Sequence, residues 1–319
     1  IEGLEEEFVE ESEITVKEED NYLFDTSSLD SIRLYLSEAS QYPLLTYNEE
    51  RTLGKDITKY NHLKALKGSP TDKTISLCQG IINERNLIQH ISRFLNEPIT
   101  IGKLCDASSL LHGTYHIPLI LYIKDNSTLP DSSIRHNLSC LSLNLLCLPT
   151  IIKDIFQDYS IDDLSFSIKE NDTYDLINTL VPIITNDFAK IHTDGLIAHE
   201  KFFCSNLRLV VSLARRRYTD SMTLLDRIQE GNLGLLRAIN KYDPKRGLKF
   251  STYGTWWIKQ SIWRSVADHS RTIRIPVHLH DKMFRVKKVM STLEGLGEEA
   301  NLSKIATITA LSVEKVQSM

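Results

Sequence analysis

The sequence predicts an all-α protein. Three observations carry this. Apolar residues recur at helical spacing in pieces along the chain, strand-like alternation is poor, and helix-start signals precede several periodic runs. The elements follow in chain order. Residues 1–25 have little to bury, and the first twenty hold ten acidic side chains and one Lys, about −9. Such a segment is expected to be mobile or weakly helical. Residues 26–57 read as helix, turn, helix. Asp30 stands where a cap would precede Ile32, Leu34, Tyr35 and Leu36. Pro43 breaks that helix, and Thr46 with Glu49 offers a capping box for the next.

Residues 58–198 differ in composition. They are rich in Leu, Ile, Ser, Thr and Asn and are punctuated by Pro70, Pro98, Pro118, Pro130, Pro149 and Pro182. Helical spacing shows at Ile81, Ile82, Leu87, Ile88, Ile91 and Leu95, so a helical insert with short loops is expected. It carries no chemical motif. Residues 199–275 form the next unit. A helix over Asn206–Arg217 carries Leu209, Val210, Leu213 and Ala214; another over Leu224–Lys241 carries Leu225, Ile228, Leu235, Leu236 and Ile239. Asp243 to Gly247 is a turn, and Thr255–Asp268 a third helix. Residues 276–319 close the chain. Pro276 opens a helix to about Leu293, and beyond Gly295 and Gly297 come a short helix, a turn and the start of another.

Charge divides the chain sharply. Residues 201–290 hold nineteen Lys and Arg against six Asp and Glu, a local +13 in a chain of net charge −5. Solvated faces mix signs, so this bias points to a polyanionic partner. Several classes drop out. There is no Gly-rich phosphate loop, nucleophile elbow or spaced His/Glu zinc motif. A nuclease would need clustered carboxylates, but Asp243, Asp268 and Asp281 are isolated in the basic segment. The expectation is a non-enzyme without metal or cofactor. Cys78, Cys105, Cys140, Cys147 and Cys204 show no C-x-x-C spacing and read as reduced thiols. The longest apolar stretch, Leu138 to Ile152, is too short to span a bilayer, and the acidic start is unlike a signal peptide. A cytosolic protein is expected.

Lys245 to Arg274 carries the chemistry. Phe250, Tyr253, Trp256, Trp257 and Trp263 interleave with Arg246, Lys249, Lys259 and Arg264. Aromatic faces stack on unpaired bases while cations follow the backbone. On a helical wheel Ile258, Ile262 and Val266 form the buried stripe. Trp256, Gln260 and Trp263 fall opposite, flanked by Trp257 and Arg264. Trp256 and Trp257 are expected to face solvent; for Trp263, packing into a core is nearly as good a reading. Gln260 suits bidentate pairing with adenine in the major groove. Arg264, Arg271 and Arg274 suit phosphates, which position a duplex without specifying its sequence. On the preceding helix Asp226, Gln229 and Glu230 share a polar face with Asn232 close by. That acidic stripe is either a solvated face or a dock for a basic protein partner.

Together these residues resemble the primary sigma factors of bacterial RNA polymerase. The resemblance is dense over residues 201–290, in NLRLVVSLARRRY, LLDRIQEGNLGLLRAINKYDPKRG, KFSTYGTWWIKQSI and RTIRIPVHLHDK. It is weaker over DSIRLYLSEASQYPLLTYNEE, which looks like region 1.2. It implies a sigma domain 2 bundle, a non-conserved helical insert and a partial domain 3. By this resemblance the chain stops inside domain 3, so −35 recognition is not expected of it.

The resemblance also implies roles. A flipped adenine of the −10 element is held among Tyr242, Arg246, Phe250, Thr252 and Tyr253. A second flipped base is held by Asn206, Leu209 and Ser251. Trp256 and Trp257 form a wedge at the upstream edge of the bubble, and Gln260 reads the first −10 pair. Lys249 and Arg264 belong to the same DNA face, and Arg271 and Arg274 to the backbone contacts. His278 and Asp281 meet the extended −10 element, and Arg33 and Leu36 lie near the discriminator. Asp226, Gln229, Glu230, Asn232 and Leu236 dock on the clamp-helix coiled coil of the polymerase β′ subunit.

The implied partners are core polymerase, the non-template strand of the promoter and an anti-sigma factor or other regulator. The implied setting is the nucleoid, or a plastid. Two positions depart from the family: Leu248 replaces an aromatic, and Trp263 a small polar residue. Two other readings compete with promoter melting. A sigma-like polymerase-binding regulator would keep the acidic stripe and lose the aromatic face, and a general single-strand binder would not select sequence.

Overall fold

The computed structural model describes residues 26–111, 117–127, 129–215, 222–269, 271, 273–295 and 301–318. The expectations for residues 1–25, for Arg216 and Arg217 and for Gly297 lie outside these. Among the described residues there is no strand, and the all-α expectation holds. The described residues fall into two units, divided between Gln41 and Tyr42.

In the first unit α1 runs Thr26–Ser40. Asp30 therefore sits a turn inside the helix and is not its cap. Arg33 is exposed and Leu36 half-buried.

In the second unit α2 spans Tyr47–Ala65. The expected capping box is present: Glu49 N–H donates to Thr46 Oγ1 at 3.3 Å, and Thr46 N–H to the Glu49 carboxylate at 2.9 Å. The helix runs well past Ile57: Leu63 is also buried, and the chain leaves the helix only at Leu66, whose backbone is extended (φ −73°, ψ 129°).

The insert follows as α3 (Pro70–Asn83), α4 (Arg85–Leu95), α5 (Ile101–Leu111), α6 (Ile117–Asn126), α7 (Asp131–Cys147), α8 (Thr150–Ile155), α9 (Ile161–Ser167) and α10 (Asn171–Thr179). Apart from Pro98, which lies in the loop before α5, its prolines stand at helix starts. Pro70 and Pro118 lie in first turns, and Pro130 and Pro149 immediately precede helices, where a missing N–H leaves nothing unpaired. Leu77, Ile81, Leu104, Ile123, Leu141 and Ile152 form its dry centre, 0–1% exposed. This core reaches Leu63 of α2 and Ile184 and Phe188 of α11 (Val181–Ser205).

At about 1.5 Å per residue, α11 is long enough to join the insert core to the C-terminal bundle. It packs along α2, where Tyr60 meets His192 edge-on with ring centres 5.2 Å apart. The bundle consists of α12 (Leu207–Arg215), α13 (Leu224–Lys241), a 3₁₀ turn at Pro244–Arg246 and α14 (Phe250–His269). Gly247 closes that turn at φ +72°, a left-handed conformation that glycine adopts without strain. Last come α15 (Val277–Gly295), α16 (Leu302–Thr309) and α17 (Val313–Gln317), with a small core of Val286, Leu293, Ile305, Ala306 and Val316.

Candidate nucleic-acid interface

α13 and α14 pack closely because one of them offers no side chain at the crossing. A Cβ on Gly234 would lie 2.7 Å from the Trp257 carbonyl oxygen and 2.8 Å from Ser261 Cβ. The expected stripe of α14 is buried: Ile258, Ile262 and Val266 are inside, together with Ser261 and Ser265. That orientation turns Trp256 and Gln260 to solvent, with Arg264 on the same side.

α14 begins at Phe250, earlier than the expected Thr255. The reason is non-local: Phe250 N–H donates to the Glu50 carboxylate of α2 at 3.0 Å. A carboxylate satisfies an orphan donor at a helix N-terminus and complements its partial positive charge. Glu50 was not among the sequence candidates, because its target lies 200 residues away.

A chain of rings runs from core to surface. Phe202 meets Phe250 edge-on at 4.7 Å between ring centres, and Phe250 meets Tyr242 at 5.3 Å. Tyr242 neighbours Tyr253 at 6.2 Å, and Tyr253 neighbours Trp257 at 6.3 Å. Trp257 and Trp256 stand nearly perpendicular at 4.9 Å, and Lys241 Nζ lies 4.4 Å above the Trp257 ring. Burial falls along this ladder: Phe250 is 0% and Tyr242 9% exposed, Tyr253 and Trp257 are half-buried, and Trp256 is 39% exposed.

Phe250 is thus a core ring that offers no open face here. Burial, reinforced by Glu50, pushes the Tyr242 hydroxyl up to about 12. It stays protonated and donates to the Leu248 carbonyl at 2.9 Å. Leu248 itself is 56% exposed, so its departure from an aromatic falls on the surface.

The remaining DNA candidates are spread around this ladder. Lys249, Ser251 and Thr252 are exposed, and Asn206 and Leu209 half-buried. The Asn206 amide donates to the Phe202 carbonyl at 2.8 Å. Exposed Arg246 lies 3.9 Å from Asp243. Lys245 behaves differently from its neighbours in the basic run. It is 4% exposed, and its Nζ donates to Ser139 Oγ of α7 at 2.7 Å. Burial lowers its pKa from 10.5 to about 8.

At the far end of α14, Trp263 packs against α15. Its ring centre lies 4.9 Å from His280 and 4.7 Å from Phe284, and its indole N–H donates to Asp281 Oδ1 at 3.2 Å. Trp263 is therefore a packing residue between helices, half-buried, and Asp281 is engaged by it. His278 and Arg271 are exposed. Arg264 and Arg274 both contact Asp268, at 3.1 and 2.9 Å.

The second face, on α13, is less uniform than expected. Asp226 and Gln229 are exposed, and Glu230 and Leu236 half-buried. Asn232 is buried, its amide 3.4 Å from Gln229 Oε1. Asp226 also has a local task, accepting the Thr223 hydroxyl at 2.7 Å where Thr223 caps the helix.

No group of three potential metal ligands occurs among the described residues, and no described helix is long and apolar enough to cross a membrane. The five cysteines are free.

Residues 202–272 match the family description Sigma-70 region 2, and residues 30–63 match Sigma-70 factor, region 1.2. The chain is 48% identical over 123 residues to RNA polymerase sigma factor RpoD of Helicobacter pylori, covering 38% of this chain and 18% of that protein. It is 50% identical over 125 residues to RNA polymerase sigma factor SigA of Clostridium acetobutylicum, covering 38% and 32%. It is 47% identical over 124 residues to RNA polymerase principal sigma factor HrdC of Streptomyces coelicolor, covering 39% and 37%. The chain thus spans well under half the length of the relatives it matches. Over these two regions, then, the chain is similar to the sigma-70 factors of RNA polymerase.

Proposed function

We propose that the chain directs RNA polymerase to promoters by capturing the non-template strand of the −10 element. The observation that carries this is the graded aromatic ladder from Phe250 to Trp256, with Lys241 over Trp257 and exposed Gln260 and Arg264 on the next turns. Its buried end supplies rigidity and its open end supplies stacking surface. Each base stacked on an aromatic contributes about 1–3 kcal/mol. That is comparable to the few kcal/mol needed to unstack and unpair a base.

With Phe250 enclosed, the stacking surface for a flipped adenine falls to Tyr253. Phe250 and Tyr242 support it from below, and Arg246 and Thr252 line its rim. Asn206, Leu209 and Ser251 would receive the second base. Trp256 and Trp257 would wedge the upstream edge, Gln260 would read the first pair, and Lys249 would follow the backbone. Upstream duplex would meet Arg271, Arg274 and His278, with Asp281 acting through its bond to Trp263. In the first unit, Arg33 and Leu36 would serve the discriminator.

The second face of α13 would dock on the β′ clamp-helix coiled coil. Its contact set is Asp226, Gln229, Glu230 and Leu236; buried Asn232 would support Gln229 from behind. Two carboxylates beside a DNA face repel phosphate and suit a basic protein surface. The test is binding of single-stranded TATAAT and scrambled oligonucleotides to the chain with core polymerase at moderate salt. The reading predicts at least tenfold preference for TATAAT, about 1.4 kcal/mol. Equal affinity would sink it.

A further inference from the structure

We infer that Asp268 is a positioning residue that fixes Arg264 and Arg274 as a paired clamp for the phosphates of the upstream duplex. This rests on the promoter reading above and adds a residue with no assigned role there.

The geometry is specific. Arg264 lies one helical turn before Asp268, and its Nε–H donates to Asp268 Oδ2 at 3.1 Å. Arg274 lies beyond the end of α14, on the segment leading to α15, and its Nη2 sits 2.9 Å from Oδ1. One carboxylate thus meets two arginines from different parts of the fold: Oδ2 accepts a hydrogen bond from Arg264, and Oδ1 is paired with Arg274 by charge and proximity, without a hydrogen bond. The Asp268 side chain is only 15% exposed, whereas Arg264 and Arg274 are 59% and 62% exposed. The carboxylate is therefore the inner member, and each guanidinium keeps further donors directed outward. The Arg264 guanidinium, with Arg274 beside it, holds the Asp268 carboxyl below the usual carboxylate range. The anchor stays ionised throughout the neutral range.

A guanidinium has five donors in a rigid plane, so a carboxylate that takes one leaves an oriented set for phosphate. Long arginine side chains otherwise lose rotamer freedom when they bind. Holding them in place beforehand removes part of that loss. The clamp also ties the segment before α15 to the end of α14, so the two phosphate contacts keep a fixed spacing.

Simple electrostatics and positioning predict opposite signs for Asp268→Asn. Removing a negative charge beside DNA should tighten binding if charge alone matters. If Asp268 positions the arginines, binding should weaken. The experiment measures the full chain with core polymerase on a TATAAT duplex with upstream sequence and on single-stranded TATAAT, across a salt series. Asp268→Asn is expected to lose about tenfold in duplex affinity and to flatten the log–log salt slope by about one to two contacts. Loss on the single strand should be much smaller, and Asp268→Glu should recover part of the duplex affinity. Unchanged or tighter duplex binding by Asp268→Asn overturns the inference, as does an equal loss on both substrates. If the wild-type chain shows no preference for TATAAT over a scrambled duplex, the promoter reading itself fails, and that outcome is distinct.

Discussion

Single residues here are read by what they touch more than by their type. Phe250 and Trp256 are both aromatics of one helix, six residues apart in sequence. One is a core ring and the other a surface ring, because α14 buries the face that carries Ile258 and Ile262. Trp256→Ala with Trp257→Ala is therefore expected to weaken duplex opening by tenfold or more while reducing single-strand binding less, as measured by permanganate reactivity and by oligonucleotide titration. Equal losses in both would remove the wedge role.

Lys245 is the opposite case, a cation from a basic run that DNA cannot reach. Its pKa is about 8 in the fold against 10.5 when free. Between those values the unfolded chain binds more protons than the folded one, so stability rises with pH in that window. Below pH 8 the burial penalty is present in full. Wild type should accordingly gain stability relative to Lys245→Met from pH 8 to 10.5. Parallel thermal-melting midpoints across that range would argue against a buried, titrating lysine. The burial of Lys245 was not legible in the sequence, because its partner, Ser139, is 106 residues distant.

At the level of elements, several helices outside the insert were legible. The Thr46–Glu49 box, the span Leu224–Lys241 and the buried stripe of α14 are local signals, and local physics produced them. The start of α14 was not legible, since Glu50 supplies its terminal acceptor from α2. Asp30 misled for the converse reason: a good cap type is only a cap when the chain turns there, and α1 already runs through it.

Helix contacts set two further expectations. Gly234→Ala would force its Cβ against the Trp257 carbonyl oxygen at 2.7 Å. Overpacking of this kind costs about 1–3 kcal/mol, read as a lower urea midpoint with unchanged m-value. Because the clash is with the backbone of a residue proposed for the wedge, duplex opening should fall as well. Trp263→Ser restores the small polar residue expected there. It removes the bond to Asp281 and the packing on His280 and Phe284. It should loosen α15 against α14, seen as faster amide exchange in Val277–Gly295. Unchanged protection would mean that Trp263 is not the tie between them.

Across the whole molecule, charge and core divide the labour. The chain is net −5, yet residues 201–290 alone carry +13. That asymmetry was visible at once and pointed to a polyanion. The core of the insert was visible only as helical fragments. Its joining to α2 and to the bundle depends on contacts across many residues, such as His62 of α2 with Asn144 at 2.8 Å and Lys245 with Ser139. Such pairs leave no periodic trace. The two faces of the bundle were legible as residue types, while their depth was not: Asn232 and Phe250 read as contacts and lie inside.

The central claim is that the aromatic ladder takes a base out of the duplex. It is tested most directly with 2-aminopurine at the second position of the −10 element in duplex promoter DNA, bound by the chain with core polymerase. Tyr253 and the tryptophans are predicted to extract that base, so fluorescence should change strongly on binding and the change should be lost in Tyr253→Ala. A duplex that is bound with no fluorescence change at that position, or a change that survives Tyr253→Ala in full, would contradict the account.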